Sequence, residues 1–365
     1  MKRFLAPPRG SPEIDWRSGI EVSSIRVSTD RDDARRKMKV IFLRGAVPPA
    51  HEHPEKLLYK DIEQCEDMWT QLFYTYLKVT NSSGELLYTG GNRVFKVDDR
   101  LTERWMPKLS NYNPSFEPDL VIARGGFSYY DAFVARCTKA KKVYYGAGAR
   151  YYPTSRFRNY DLFLTDAVAQ RDAIRNRHGQ RAELFIKPAA RLFKKHNVRV
   201  DHDICFMANA TQAHIKRHAL FLRAMTGTRY RVLALGNTSP KYIELARKLG
   251  VRIRWSGWRL RKYLPAQICR CKIGVVCSTN YDSCPRVIPE YMACGLPVVV
   301  TENVNFWKEK YITKQTGVLA KADNLVAACE AALKLKSEHV VSHYRNSLSM
   351  DKAAEHLAQL LRSIM

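Results

Sequence analysis

Short apolar runs, several ending in glycine, alternate along this chain with longer stretches whose apolar residues recur at helical spacing. MKVIFLRG (38–45) is the first run and predicts a buried strand. DLVIARGG (119–126) follows the same form and leads into a helical stretch, YYDAFVARCTKA. KKVYYGAGARYY (141–152) and YDLFLTDAVAQRDAIRNRHG (160–179) repeat it. Strands alternating with helices imply a parallel sheet covered on both faces. AELFIKPAARLFKKHNVRVDHD (182–203) predicts an exit strand and a linker, after which the alternation starts again. DICFMANA, YRVLALGN, VRIRWSGW and KIGVVCST are the next strands. Helices are predicted at KRHALFLRAM (216–225), PKYIELARKLG (240–250) and LPAQICRC. PVVVTE, TGVLA, a helix over 322–336 and a terminal helix complete the chain. The expected fold class is α/β: two Rossmann-like, doubly wound domains facing across a cleft. The expected boundaries are a mobile extension over 1–37, a first domain over 38–188 and a linker over 189–202. A second domain spans 203–345, and a terminal helix (346–365) is expected to pack back on the first domain. Ligands of such sheets bind beyond the carboxyl ends of the strands, here in the cleft.

A length of 365 residues with 45% hydrophobic content is enough for two ordinary cores. The nine cysteines show no CxxC spacing, which favours reduced thiols and a cytoplasmic setting. No apolar run approaches the roughly 20 residues of a membrane span. The apolar stretch at the start is too short for a signal peptide. Charge changes the picture more. The net charge is +26, distributed as +3 over 1–37, −2 over 38–135, +12 over 136–199 and +13 over 200–365. Such a concentrated excess repels itself, which points to an anionic partner.

The densest chemistry lies in YDSCPRVIPEYMACGLPVV (281–299). Pro285 suits the first position of a helix, because its missing N–H has no partner to lose there. The loop Asp282-Ser283-Cys284 then offers backbone amides to an anion, with Glu290 more than one turn inside the helix. This segment resembles the nucleotide-sugar signature of retaining glycosyltransferases of the GT-B fold, specifically glycosyltransferase family 4. The family has an acid, seven residues, a Glu, a small-residue helix end and G-x-P-V-V. Here Asp282 stands where the first acid is usually Glu. The resemblance covers about 183–365 and includes LFIKPAARLF, VLALGN and RWSGW in the family's order. It implies transfer of a sugar from a nucleoside-diphosphate sugar, with a UDP-sugar the expected donor. Asp282 would face the donor sugar, and Glu290 the ribose hydroxyls. Amides around Ser283, Cys284, Pro285 and Arg286 would hold sugar and diphosphate. Lys216 or Arg217 would neutralise the diphosphate, joined by Asn209 where many members carry Arg. Gly236 would lie on the donor side. Trp255 or Trp258, flanking Gly257, would stack on the base.

The first half of the chain carries fewer motifs. Gly125-Gly126 and Gly146-Ala147-Gly148 end strands and are expected to face the cleft. The histidine that the family often places near the second of these is absent, as is its glycine-rich loop after the first strand. Arg124, Asp131 and Arg150 are acceptor-side candidates. Basic residues and aromatics interleave in KAKKVYYGAGARYYPTSRFRNY, so Lys139, Lys141 and Lys142 join them. Two acceptors fit a basic enzyme of this kind. A hydroxymethylated pyrimidine in DNA, sugared by a phage-type enzyme, is slightly favoured. An anionic glycolipid or polysaccharide precursor at the inner membrane is the alternative. A non-catalytic nucleic-acid-binding protein on the same fold is a third reading, opposed by the retained Asp282, Glu290 and Lys216. No metal or other cofactor is expected. Asp201-His202-Asp203 spells a metal motif but precedes a strand, and His51-Glu52-His53 lacks helical ligand spacing.

Overall fold

The computed structural model describes residues 37–46, 65–109, 112–125, 128–146 and 159–365. The expected extension up to residue 36, His51–His53, Gly126, Ala147, Gly148, Arg150 and most of the Tyr-rich stretch lie outside the described residues. Lys37–Met365 forms one compact unit containing two sheets.

The first sheet uses β1 (Lys39–Ala46), β2 (Ser83–Thr89), β3 (Arg93–Lys96), β4 (Leu101–Met106), β5 (Leu120–Arg124), β6 (Lys141–Gly146), β7 (Leu162–Thr165) and β8 (Ala182–Leu184). Its order is β3-β4-β2-β1-β5-β6-β7-β8, with all pairs parallel except β3 with β4. Helices α1 (Met68–Val79), α2 (Ser128–Arg136) and α3 (Val168–His178) cover it. The second sheet uses β9 (His202–Met207), β10 (Val232–Leu235), β11 (Ile253–Trp255), β12 (Cys271–Val276), β13 (Val298–Thr301) and β14 (Gly317–Ala320). Its order, β11-β10-β9-β12-β13-β14, is the wholly parallel Rossmann order. Around it lie α4 (Ala213–Lys216), α5 (His218–Ala224), α6 (Pro240–Lys248), α7 (Leu264–Ile268), α8 (Val287–Ala293), α9 (Lys308–Tyr311), α10 (Leu325–Leu333), α11 (Ser337–Ser347) and α12 (Met350–Arg362). None of these helices is long and apolar enough to cross a membrane.

Side chains alternate across each strand, so each sheet supplies two core faces. In β1, Ile41 and Leu43 enter one core, while Val40 and Phe42 enter another. That second core is continuous: it runs from α1 past Phe185 and Phe193 in the linker to Ile288 and Tyr291 of α8, and on to Leu357 of α12. The strand order reverses at β1 in one sheet and at β9 in the other, so each sheet opens a crevice beyond those strand ends. The chain crosses between the sheets twice, outward after β8 and back between α11 and α12, and α12 packs on α1. Arg191 also pairs with Asp351 at the start of α12, Nη2 to Oδ1 at 2.6 Å.

Several elements depart from the pattern reading. Residues 68–106 hold a helix and three strands that apolar periodicity did not predict. Their buried faces include Thr70, Gln71, Glu85 and Glu103, which break the apolar signal. The helix expected over 216–225 is α5, His218–Ala224, and Lys216 instead ends α4, because Arg217 takes a left-handed conformation (φ 51°) between them. The helix expected over 322–336 is a 3₁₀ turn followed by Leu325–Leu333, and a separate helix, Ser337–Ser347, follows it.

Glu103, in β4, is buried. Burial first and the nearby Asp67 carboxylate second push its pKa up to about 8. Between about pH 4.5 and 8 the folded protein therefore holds a proton that the unfolded chain releases, and stability falls as pH rises across that window. Glu103→Gln should remove this slope. Its melting temperature is expected to exceed wild type at pH 7.5, with the difference shrinking toward pH 5; thermal unfolding at both values checks it.

Candidate functional site

The carboxyl ends of β1, β5, β6 and β7 supply one wall of the site, and those of β9, β10 and β12 the other. On the second domain, the loops after these strands are tied to one another by backbone bonds. Thr279 N–H donates to Ile215 O at 2.8 Å, Ala210 N–H to Asn237 O at 2.9 Å, and Gly236 N–H to Gly257 O at 3.1 Å. Gly236 has φ 114°, and a Cβ there would lie 2.5 Å from Ala208 O, so only glycine lets the two loops approach. Asn209 serves this loop too: its side-chain oxygen accepts from Thr211 N–H at 3.1 Å.

Lys216 ends α4 and reaches across to the loop after β12, where Nζ pairs with Asp282 Oδ2 at 2.5 Å. Asp282 is itself positioned by its backbone, donating to Thr279 O at 3.1 Å and accepting from Asn305 N–H at 3.2 Å. Helix α8 begins at Val287, two residues later than the Pro285 start expected from the sequence. Ile288 N–H instead closes a turn onto Pro285 O at 3.0 Å. Glu290 therefore lies in the first turn of α8, not beyond it. The N–H groups of Ser283, Cys284 and Arg286 find no acceptor among the described residues. The helix sits close to the sheet because Gly274 of β12 leaves room for the Tyr291 ring; a Cβ at 274 would fall inside that ring. The Tyr291 hydroxyl accepts from Met207 N–H at 2.7 Å.

Glu290 is buried and paired with Arg261, Nη2 to Oε1 at 2.7 Å. The Arg261 guanidinium also lies 5.1 Å from the Phe193 ring centre. Burial alone would lower its pKa, but Glu290 outweighs burial and raises it. Trp255 packs at the margin of the second-domain core, whereas Trp258 is 56% exposed at the rim. Of the two, Trp258 is the one with an exposed ring. Arg217 is half-buried and has no ion pair among the described residues.

The opposite wall contains the sequence candidates Arg124, Gly125 and Asp131, together with Arg44 and Asp67, which motif reading missed. Arg44 and Arg124 leave the ends of neighbouring parallel strands, one step past the Leu43–Ala123 pair. Arg44 grips Asp67 with two hydrogen bonds of 2.9 and 3.2 Å. Asp67 also caps α1, accepting from Thr70 N–H at 3.2 Å. Burial opposes ionisation of Asp67, yet Arg44 and the cap hold it well below the usual carboxylate range. Arg124 lies 4.7 Å from the Trp69 ring centre, and its buried Nε has no hydrogen-bond partner. Gly125 donates its N–H to Tyr145 O at 3.0 Å. Asp131 lies in the first turn of α2.

Lys139, Lys141 and Lys142 are not at this cleft. They precede or begin β6, whose other end faces the cleft, roughly 15 Å along the strand. Lys139 pairs there with Glu117 at 3.1 Å and Lys141 with Asp161 at 3.6 Å. Charge counting along the sequence could not see which end of the strand they occupied. The Asp201–Asp203 segment is likewise taken up in pairing. Asp201 binds Arg270 and His202, and Asp203 binds Lys272 at 2.9 Å. Among the described residues no group of three or more His, Cys, Asp or Glu could hold a metal ion.

Between the walls sits Lys187, buried in the linker. Its ammonium pairs with Asp166 at the end of β7 and donates to Cys284 O in the loop before α8 at 2.8 Å. Its backbone exchanges hydrogen bonds with the Tyr311 hydroxyl, at 2.8 Å through N–H and 3.0 Å through O. Tyr145 donates to Asp166 from the other side at 3.0 Å.

A profile of the family described as Glycosyl transferases group 1 matches residues 201–338. No curated protein sequence matches the chain significantly. Among solved structures, sucrose-phosphate synthase from Thermosynechococcus elongatus is similar at TM-score 0.64 and 14% identity, covering 90% of this chain and 99% of its own. The lipopolysaccharide outer core galactosyltransferase WaaB gives 0.66 and 13%, covering 90% and 100%. Anabaena Alr3699/HepE in complex with UDP-glucose gives 0.60 and 14%, covering 89% and 100%. At these identities the likeness establishes the two-domain GT-B fold.

Removing the Lys187 ammonium strands a buried Asp166 carboxylate. Lys187→Met is expected to destabilise the protein by about 3–5 kcal/mol, because one partner of a buried pair is lost. Adding Asp166→Asn should recover part of that; denaturant titration of the single and double variants checks it.

Proposed function

We propose that this chain, a glycosyltransferase of GT-B fold, moves a sugar from a UDP-sugar to a hydroxyl of an anionic acceptor, with retention at the anomeric carbon. The observation that carries the donor half is the pairing of each motif acid, both beyond the carboxyl end of β12, with a cation from another loop: Asp282 with Lys216 after β9, Glu290 with Arg261 after β11. Each pair holds a charged group in place until a ligand replaces its partner. A bound diphosphate offers Lys216 a stronger anion than Asp282 and frees Asp282 to accept from sugar hydroxyls. Arg217 sits next to Lys216, so both can neutralise charge on the departing diphosphate, the main electrostatic demand of the reaction. Ribose hydroxyls can donate to Glu290 while Arg261 holds the carboxylate in place. The free amides of Ser283, Cys284 and Arg286 add donors without a metal, and Trp258 offers a face to the uracil ring.

For the acceptor, the support is electrostatic: a net charge of +26 and arginines at the cleft. A hydroxymethylated pyrimidine in DNA is the first acceptor we put forward. An anionic glycolipid or polysaccharide precursor is the alternative, which the same charge also fits.

Glu290→Gln is expected to weaken UDP binding about tenfold, the scale of a lost charged hydrogen bond, and Asp282→Asn to reduce turnover more than UDP affinity. Calorimetry with UDP reads the first; unchanged affinity would remove Glu290 from the donor site. For the acceptor, the protein is given several UDP-sugars with hydroxymethylated DNA or with glycolipid vesicles. A hexose or pentose mass added to nucleosides supports DNA, and one added to lipid supports the alternative.

A further inference from the structure

Helix α3 begins without a cap of its own. Ala167 occupies the capping position in extended backbone (φ −116°, ψ 122°) and has no side-chain oxygen to offer the first turn. The acceptor comes from the other domain. Asn305, in the loop between β13 and α9, accepts from Ala169 N–H through Oδ1 at 3.2 Å. Ala169 is the second residue of α3, a position whose N–H a capping side chain ordinarily satisfies. Asn305 thus does from 136 residues away what a cap does locally.

The same residue holds Asp282. Its backbone N–H donates to Asp282 O at 3.2 Å, while Asp282 N–H donates to Thr279 O. Both backbone groups of Asp282 are therefore taken, and its carboxylate is aimed from a fixed peptide. Val304 and Phe306, on either side of Asn305, are buried in the continuous core with Ile288 of α8. They anchor the Asn305 backbone to the second domain. Its side chain is half-buried and borders a crevice of about 480 Å³. Val168, Ala169 and Leu184 line one side of that crevice, and Asn305, Trp307 and Lys308 the other. Lys187 also ties this loop to the first domain, from Asp166 to Cys284 O, but inside the buried junction. The Asn305 tie is solvent-exposed, where water can take the place of either partner.

We propose that Asn305 is a positioning residue for sugar transfer. It caps α3 with its side chain and holds Asp282 O with its backbone, so the Asp282 loop is fixed to the wall of the first domain. The inference rests on the transferase reading for the role of Asp282. It adds that Asp282 is in place over the donor sugar only while Asn305 bridges the two domains. A carboxylate at 305 keeps the acceptor and suits the positive end of α3, so Asp is the conservative replacement.

Amide hydrogen exchange of the full-length, ligand-free protein compares wild type with Asn305→Ala and Asn305→Asp. In Asn305→Ala, exchange is expected to rise about fivefold in the first turn of α3 and also at the Asp282 and residue-305 amides. Asn305→Asp is expected to return both segments to the wild-type rate. The Ala variant should unfold near the wild-type temperature, because the lost bond is exposed. Faster exchange in α3 alone would make Asn305 a local cap and overturn the proposal. No change in either segment, or no recovery with Asp, overturns it equally. Hydrolysis of UDP-glucose and of UDP-galactose, followed by release of UDP, gives kcat and KM. Asn305→Ala is expected to lower kcat roughly tenfold at unchanged KM, and Asn305→Asp to restore it. Wild-type kcat in the Ala variant, with or without a raised KM, overturns the positioning role. If the wild type neither binds UDP nor hydrolyses either sugar, the transferase reading fails separately. Exchange in the two segments then still decides whether Asn305 joins them.

Discussion

The buried ammonium of Lys187 is the constraint on which the rest of this molecule depends. It joins three pieces of chain: the end of β7 through Asp166, the linker that carries Lys187 itself, and the loop of Asp282 and Arg286 through Cys284 O. Buried pairs of this kind contribute little net stability, because desolvation offsets most of the attraction. They do penalise every arrangement that separates the partners. The Tyr311 hydroxyl, which bonds both sides of the Lys187 peptide, tightens the same junction. The donor-side loop is thus referenced to the first domain as well as to its own sheet.

Charge is arranged around that junction in matched pairs. Asp282, Glu290, Asp67 and Asp166 each have a cationic partner at hydrogen-bond distance. Each of these carboxylates is therefore matched, while Arg217 beside them has no ion pair among the described residues. The lysines that looked most suited to an acceptor, at 139, 141 and 142, lie at the far end of β6, where Lys139 and Lys141 form exposed pairs of small energetic weight.

How much of this was legible in the sequence follows from burial. Strands such as β1, β10 and β13 are unbroken apolar runs because both faces are covered, and they could be read directly. Their alternation with helices was enough to predict two doubly wound domains. The Asp282–Glu290 segment could be read because its spacing survives without knowledge of contacts. The α1–β4 region could not, since Glu85 and Glu103 are buried there beside apolar neighbours and only tertiary partners such as Arg104 explain Glu85. The break at Arg217 is likewise a tertiary matter: nothing in KRHALFLRAM forbids a continuous helix. Arg44, Arg261 and Lys187 lack motifs, and their roles come from partners 23, 29 and 97 residues away.

The return of the chain to the first domain through α12 also limits how the molecule can move. A single linker would leave the two domains free to bend and twist in any direction. Two crossings, after β8 and before α12, act like the two pins of a door, and the motion left soft is a swing about the line through them. The continuous core and the Arg191–Asp351 pair lie on the side of those pins. A swing that parts the loop of Asp282 from the wall of Arg44 and Arg124 also strains the Lys187 contacts to Asp166 and Cys284 O, which join the same two sides.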